Sequence, residues 1–203
     1  MEKSRFDTIA EIWDSHPRRV NIATKTFEAI KEKVQFSENM IVADIGTGTG
    51  LLLIHFQEFV KEIEGFDNSQ GMVDVFTEKV KKAGIENAKA SLFDADKDIL
   101  PQNKYDLLVS NMTFHHISDI SDFMKNAYNS LKQGGKICIA DLVSEDGSFH
   151  SYSDDTIKHL GFDLSEFKEI MQKVGFKNIE VKEIFSIEKE AHSYPIFLAY
   201  GEK

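Results

Sequence analysis

Between Met40 and Val143, short apolar runs alternate with longer segments whose apolar residues recur at helical spacing. That alternation restricts the fold more than any other feature of the chain. "MIVADI", "IEGF", "NAKASLF", "YDLLVS" and "KICIADLV" read as strands, several of them apolar enough to be buried on both faces. "LLLIHFQEF", "SQGMVDVFTEKVKKAG" and "DISDFMKNAYNSLKQGG" read as helices. The second carries Met72, Phe76 and Val80 on one stripe and Gly84 at its C-cap. The third carries Ile120, Phe123, Ala127 and Leu131, with Gly134 and Gly135 at its end. Strands joined by such helices imply right-handed crossovers and a parallel sheet.

Two further helices, "RFDTIAEIWDS" and "RRVNIATKTFEAIKEKV", precede this pattern, with Pro17 between them. One more, "LSEFKEIMQKVGF", follows it, and then two strands, "NIEVKEIFSI" and "YPIFLAYG". Pro195 is expected at a strand start or an edge, where no ladder N–H is required. No repeat, low-complexity tract or linker interrupts the chain, so its 203 residues are expected to form one domain.

The three glycines of "VADIGTGTG" stand at 46, 48 and 50, between a strand-like run and a helix-like one. A dinucleotide loop of the form G-x-G-x-x-G would need its third glycine at Leu51, and no Gly-Lys-Ser/Thr of a phosphate loop follows. Asp67 lies 21 residues beyond Gly46, where an acid suits two ribose hydroxyls without saying which adenosine cofactor carries them. The net charge of −10 argues against a partner held by its phosphates, and so against nucleic acid. The opening has no signal-like apolar core, no run is long enough to span a membrane, and the single Cys138 forms no internal disulfide. A reduced, cytoplasmic setting is the expectation.

These residues resemble the class I S-adenosylmethionine-dependent methyltransferases. "VADIGTGTG", "GFDNSQGMV", "SLFDADKDILP", "YDLLVSNMTFHHI" and "LKQGGKICIADL" are similar to five successive motifs of that family, in its order and at its spacing. The resemblance covers residues 36–203 as a Rossmann-like core and 1–35 as a helical lid. It implies a doubly wound α/β sheet of seven mostly parallel strands, the last antiparallel, with S-adenosyl-L-methionine as cofactor. Asp44, Gly46, Thr47, Gly48 and Gly50 would form the loop under its methionyl part. Asp67 and Asn68 would take the ribose, Asp94 and Ala95 the adenine, and Asn111 would offer a carbonyl near the ammonium. A cationic sulfonium without phosphates suits such an acidic pocket.

His116 falls where several family members place a histidine beside the substrate, and it is the candidate general base; a structural histidine under the lid is the competing reading. Adjacent side chains point apart, so His115 and His116 are not expected to share a metal, and His16, His55, His150, His159 and His192 show no ligand spacing. Trp13, Phe6 and Tyr152 are candidates for an acceptor pocket, Phe6 with core packing as the favoured reading. Arg18–Arg19 suit either an anionic acceptor or plain solvation at a helix start. With a single cysteine the chain does not match arsenic-methylating members. "NMTF" lacks both prolines of the Asn-Pro-Pro-Tyr/Phe amine site. The expected activity is methyl transfer to an O, N or C atom of a small molecule. A protein or nucleic-acid methyltransferase, a non-catalytic cofactor-binding module and a nicotinamide enzyme are the alternatives.

Overall fold

The computed structural model describes residues 4–150, 156–190 and 192–203. Its strands are β1 (Ile41–Ile45), β2 (Glu62–Asp67), β3 (Ala88–Leu92), β4 (Tyr105–Asn111), β5 (Leu131–Leu142), β6 (Lys177–Lys189) and β7 (His192–Glu202). The helices are α1 (Arg5–Ile9), α2 (Pro17–Lys33), α3 (Gln70–Ala83), α4 (Ile120–Ser130) and α5 (Leu164–Val174). The strands make one sheet in the order β3-β2-β1-β4-β5-β7-β6. All pairings from β3 to β5 are parallel, and β7 runs antiparallel to both β5 and β6. The doubly wound sheet expected from the motifs is present, with its final strand reversed.

The apolar strands lie at the centre because both of their faces are covered. Val42, Leu107, Val109 and Cys138 pack on the layer of Phe27, Ile30, Phe76 and Val80, contributed by α2 and α3. Ala43, Leu108, Ile137 and Ile139 pack on the opposite layer, with Phe123, Phe167 and Met171 of α4 and α5. Each fully buried Val, Leu, Ile, Phe or Met among them contributes about 1.5–3 kcal/mol. Helix α3 has local punctuation at both ends: the Ser69 hydroxyl accepts from Met72 N–H, and Gly84 closes the helix in the left-handed conformation. No described helix is long and apolar enough to cross a membrane.

Three sequence expectations are corrected. The run 51–59 is not a long helix: it makes a short 3₁₀ segment, Leu53–Phe56, flanked by turns. Leu52, Leu53 and Phe56 are still buried, and the tighter i→i+3 winding delivers them to the core before the chain enters β2 at Glu62. The first predicted helix likewise splits, with α1 giving way to a 3₁₀ turn over Ala10–Ser15. Leu131 does not end a helix; it opens β5 by pairing with Tyr105, and a register shift separates it from the rest of the ladder. Pro195 stands one residue before Ile196, the first residue of β7 with a β5 partner, so its missing N–H breaks no bond of that ladder; on the other side it pairs with Ser186 of β6.

Candidate active site

Strand order reverses between β1 and β4: the chain continues to one side through β2 and β3 and to the other through β5. Loops leaving two such neighbours diverge and open a crevice beyond their carboxyl ends. A cavity of about 580 Å³ occupies that position. Asp44, Gly46, Thr47, Gly48, Asp67, Asn68, Asp94, Ala95, Asn111 and His116 line it, so the structure brings together all but one of the residues singled out from the motifs. Phe6 and Trp13 from the N-terminal segment line it too, which places Phe6 at the cavity rather than in the core. Tyr152 lies outside the described residues.

The missing one is Gly50, and its role is packing. At φ +80°, a Cβ there would stand 2.1 Å from the Phe76 ring. Gly48 differs: at φ +55° it has only Met72 Sδ, 3.9 Å away, facing the place of a Cβ. The loop therefore offers bare backbone to the cavity at Gly48 and lets α3 pack close at Gly50. Gly46 and Thr47 N–H groups donate to the Phe66 carbonyl at 2.7 and 3.0 Å, tying the loop to the end of β2.

The carboxylates are held differently. Asp44 is 2% exposed, and its Oδ1 and the buried Thr47 hydroxyl lack hydrogen-bond partners among the described residues. Burial, with the charge of Asp67 adding to it, pushes the Asp44 carboxyl up to about 8. Asp67 accepts from Gly48 N–H at 2.7 Å and Ser69 N–H at 2.9 Å, one bond to each oxygen. Burial raises its pKa against those two bonds. Asp94 faces the cavity edge, with Oδ1 accepting from Asp96 N–H at 3.0 Å and Oδ2 paired with Lys97 at 2.5 Å. Asn111 Oδ1 accepts from Thr26 Oγ1 at 2.9 Å, which aims its amide from the floor of the cavity.

His115 and His116 do not point apart. Their ring centroids are 4.1 Å from each other and both rings line the cavity. Two different partners draw them in: His116 Nδ1 donates to the Thr156 carbonyl at 2.9 Å, and His115 Nδ1 lies 2.7 Å from Asp141 Oδ1. His115 and Asp141 are buried, at 2% and 0% exposure. The sequence brings His115 forward only beside His116 and does not point to Asp141, because the meeting of the two depends on the β4–β5 register that sets Asn111 opposite Ala140. His150 stands 5.1 Å from the His115 ring, and burial, then the charges of His115, His116 and Arg5, push its pKa down to about 4. Among the described residues no group of three or more His, Cys, Asp or Glu side chains converges to hold a metal ion.

The N-terminal segment is fastened over the cavity by two aspartates that the sequence reading also passed over. Asp7 Oδ1 accepts from Ser69 Oγ at 2.6 Å and Gly71 N–H at 2.9 Å, bonds that hold its carboxyl well below the usual range. Gly71 permits the approach, since a Cβ there would lie 2.8 Å from Asp7 Cα. Asp14 bonds to Thr49 and Lys79.

Residues 18–181 match the model of a family described as a methyltransferase domain. The chain belongs to the methyltransferase domain family. Its five motifs and its sheet are those of the class I S-adenosylmethionine-dependent methyltransferases. Over 156 residues, 70% of the chain, this methyltransferase domain is 31% identical to an uncharacterized methyltransferase of Schizosaccharomyces pombe, 55% of whose length it covers. It is 25% identical to the demethylmenaquinone methyltransferase of Bacteroides fragilis, over 88% of the chain and 85% of that protein. It also superposes on the phosphoethanolamine N-methyltransferase 2 of Haemonchus contortus, solved with S-adenosyl-L-methionine, with a TM-score of 0.76 at 20% identity, over 89% of this chain and 52% of that one. The methyltransferase domain spans about half the length of the first curated relatives it matches.

Proposed function

We propose that the chain transfers the methyl group of S-adenosylmethionine to a nucleophilic O, N or C atom of a small molecule. The observation that carries this reading is one cavity whose lining joins two chemically different sets of residues. The first set is the bare backbone of Gly48, the Asp44 oxygen that has no partner among the described residues, and the carboxylate of Asp67. The second is His115, His116, Phe6 and Trp13.

The residues present fit the cofactor. A buried carboxylate oxygen without a partner is costly unless a ligand donor or cation meets it, and the methionyl ammonium supplies one. Asp67 has acceptor capacity left on both oxygens for ribose hydroxyls. Asn68 and Ala95 border the same space, and Asp94 would reach an adenine amino group only by sharing its Lys97-paired carboxylate. S-adenosylmethionine, when bound, supplies a methyl group on a positively charged sulfur that is already a good leaving group. What remains for the protein is alignment and exclusion of water, and the fastened N-terminal segment serves both.

An O–H or N–H acceptor must also lose a proton. His116, by donating Nδ1–H to a carbonyl, keeps Nε2 as its basic nitrogen; His115 does the same with the added support of buried Asp141. Calorimetry tests the reading: S-adenosylhomocysteine should bind saturably, at micromolar concentration, and NADH should not. No heat with the former, or comparable heat with the latter, would overturn it.

A further inference from the structure

Charge within the cavity is sorted by origin. Its lining carboxylates among the described residues, Asp44, Asp67, Asp94 and Asp96, all lie in or just beyond the first three strands. Its lining cations come from elsewhere: Arg5, Arg18 and Arg19 from the N-terminal segment, Lys158 and Lys189 from the C-terminal part of the chain. A chain with net charge −10 thus places five cations on the cavity wall.

Three observations make that wall receptive to an anion. Arg19 is fixed: its guanidinium lies 3.6 Å over the Trp13 ring and Nη1 donates to the Trp13 carbonyl at 3.1 Å. Burial, then the charges of Arg18 and Arg5, lower its pKa, and the one opposing carboxylate among the described residues, Asp14, is already bonded to Thr49 and Lys79. Arg18, exposed at the cavity rim, makes no hydrogen bond or ion pair with any described residue. His150, its ring 5.1 Å from that of His115, presents a buried Nε2 with no hydrogen-bond partner among the described residues. Crowded guanidiniums repel one another unless an anion sits among them, and their planar forks suit the paired oxygens of phosphate or carboxylate.

We propose that the methyl acceptor is a small anion, carrying a phosphate or carboxylate group that Arg18 and Arg19 receive while its nucleophilic atom faces the glycine-loop end. This rests on the methyl-transfer reading and narrows its substrate to one chemical class. It also gives the fastened segment a second purpose, since Arg18 and Arg19 reach the cavity only with the N-terminal helices in place.

The test uses the full chain saturated with S-adenosylhomocysteine. Inorganic phosphate and acetate are titrated separately against sodium chloride of equal ionic strength. Fluorescence of Trp13, the chain's single tryptophan, is followed, with calorimetry on the same samples. A saturable response to one of the two oxyanions is expected, and which one responds distinguishes phosphate from carboxylate. Arg18→Gln combined with Arg19→Gln should weaken it at least tenfold and leave S-adenosylhomocysteine affinity within twofold. Arg18→Gln alone, at an exposed position, should weaken it at least threefold should the double variant fold poorly. The inference is overturned by a response no greater than that to chloride, or by one undiminished in the variants. It is equally overturned if the variants lose S-adenosylhomocysteine affinity instead, for the arginines would then hold the cofactor's own carboxylate. Failure of the unmodified chain to bind S-adenosylhomocysteine strikes the methyl-transfer reading itself.

Discussion

Asp14 reaches from the N-terminal segment into the glycine loop, where its Oδ1 accepts from Thr49 Oγ1 at 2.5 Å. Its Oδ2 lies 2.5 Å from Lys79 Nζ, which also donates to the Thr49 carbonyl at 2.6 Å. Thr49 sits between Gly48 and Gly50, so the segment covering the cavity is bonded to the loop that forms its floor. Ordering of one favours ordering of the other, a coupling that works in both directions.

Asp14→Asn should therefore weaken S-adenosylhomocysteine binding although the residue does not line the cavity. Hydrogen bonds to charged groups contribute about 1.5–3 kcal/mol, reduced here because the carboxylate is partly exposed, so a loss of roughly three- to tenfold is expected. Hydrogen exchange over residues 5–15 should quicken in the same variant. Unchanged affinity together with unchanged exchange would show the contact to be incidental.

The glycines at 48 and 50 should fail in opposite ways. Gly50→Ala drives a methyl group into the Phe76 ring and should destabilise the fold by at least about 1–3 kcal/mol, seen as a lowered Tm. Gly48→Ala meets open space, so its stability cost should be limited to the roughly 1–2 kcal/mol of a left-handed alanine. Its methyl group enters the cavity, however, and S-adenosylhomocysteine affinity should drop more than tenfold. Equal losses of binding in the two variants, after allowance for unfolding, would contradict this division.

Asp44 makes both stability and ligand binding depend on pH. Its folded pKa of about 8 lies above the ordinary 3.8, so the folded chain holds a proton that the unfolded chain releases. The sign follows: this group lowers stability as pH rises from about 4 to 8 and adds no further change above that range. Asp44→Asn should flatten that slope in chemical denaturation at a series of pH values. A cationic ligand favours the ionised carboxylate, so binding near pH 7 should expel a proton, detected as a buffer-dependent calorimetric enthalpy. Enthalpies identical in HEPES and Tris would refute the assignment.

Asp141→Asn should destabilise the protein without altering its volume. It replaces the carboxylate bonded to His115 inside a fully buried site, and a hydrogen bond to a charged group contributes about 1.5–3 kcal/mol. Burial raises the Asp141 pKa, but the charge and hydrogen bond of His115 and the Leu142 and His115 N–H groups outweigh it, and the net shift is downward. The stabilisation it provides is present above the unfolded value of 3.8 and vanishes as pH falls through the lower folded value. Acid unfolding of the variant should accordingly begin from a lower plateau and show a shallower slope below pH 4.

Most of the sheet was legible because β1, β4 and β5 are apolar on both faces, and the glycine loop because its spacing fits a bare-backbone turn and not a phosphate loop. The run 51–59 was not, since a helical stripe and a 3₁₀ turn place the same leucines and phenylalanine inward over so short a length. Asp7 and Asp14 were hidden among charged residues of an amphipathic segment, where a carboxylate that fastens looks like one that is solvated. His115 and Asp141 are 26 residues apart and belong to neighbouring strands' ends, so only strand register shows that they touch.

The hydrogen that stands as the whole side chain of Gly71 has a consequence for size discrimination. The backbone of Asp7 rests directly on it, so residue 71 sets how far the first helix stands off from α3. A methyl group at that position would prop the cover outward, taking Phe6 with it and enlarging the chamber that Phe6 lines. One atom at the edge of the molecule thereby acts as a spacer for a space it does not border.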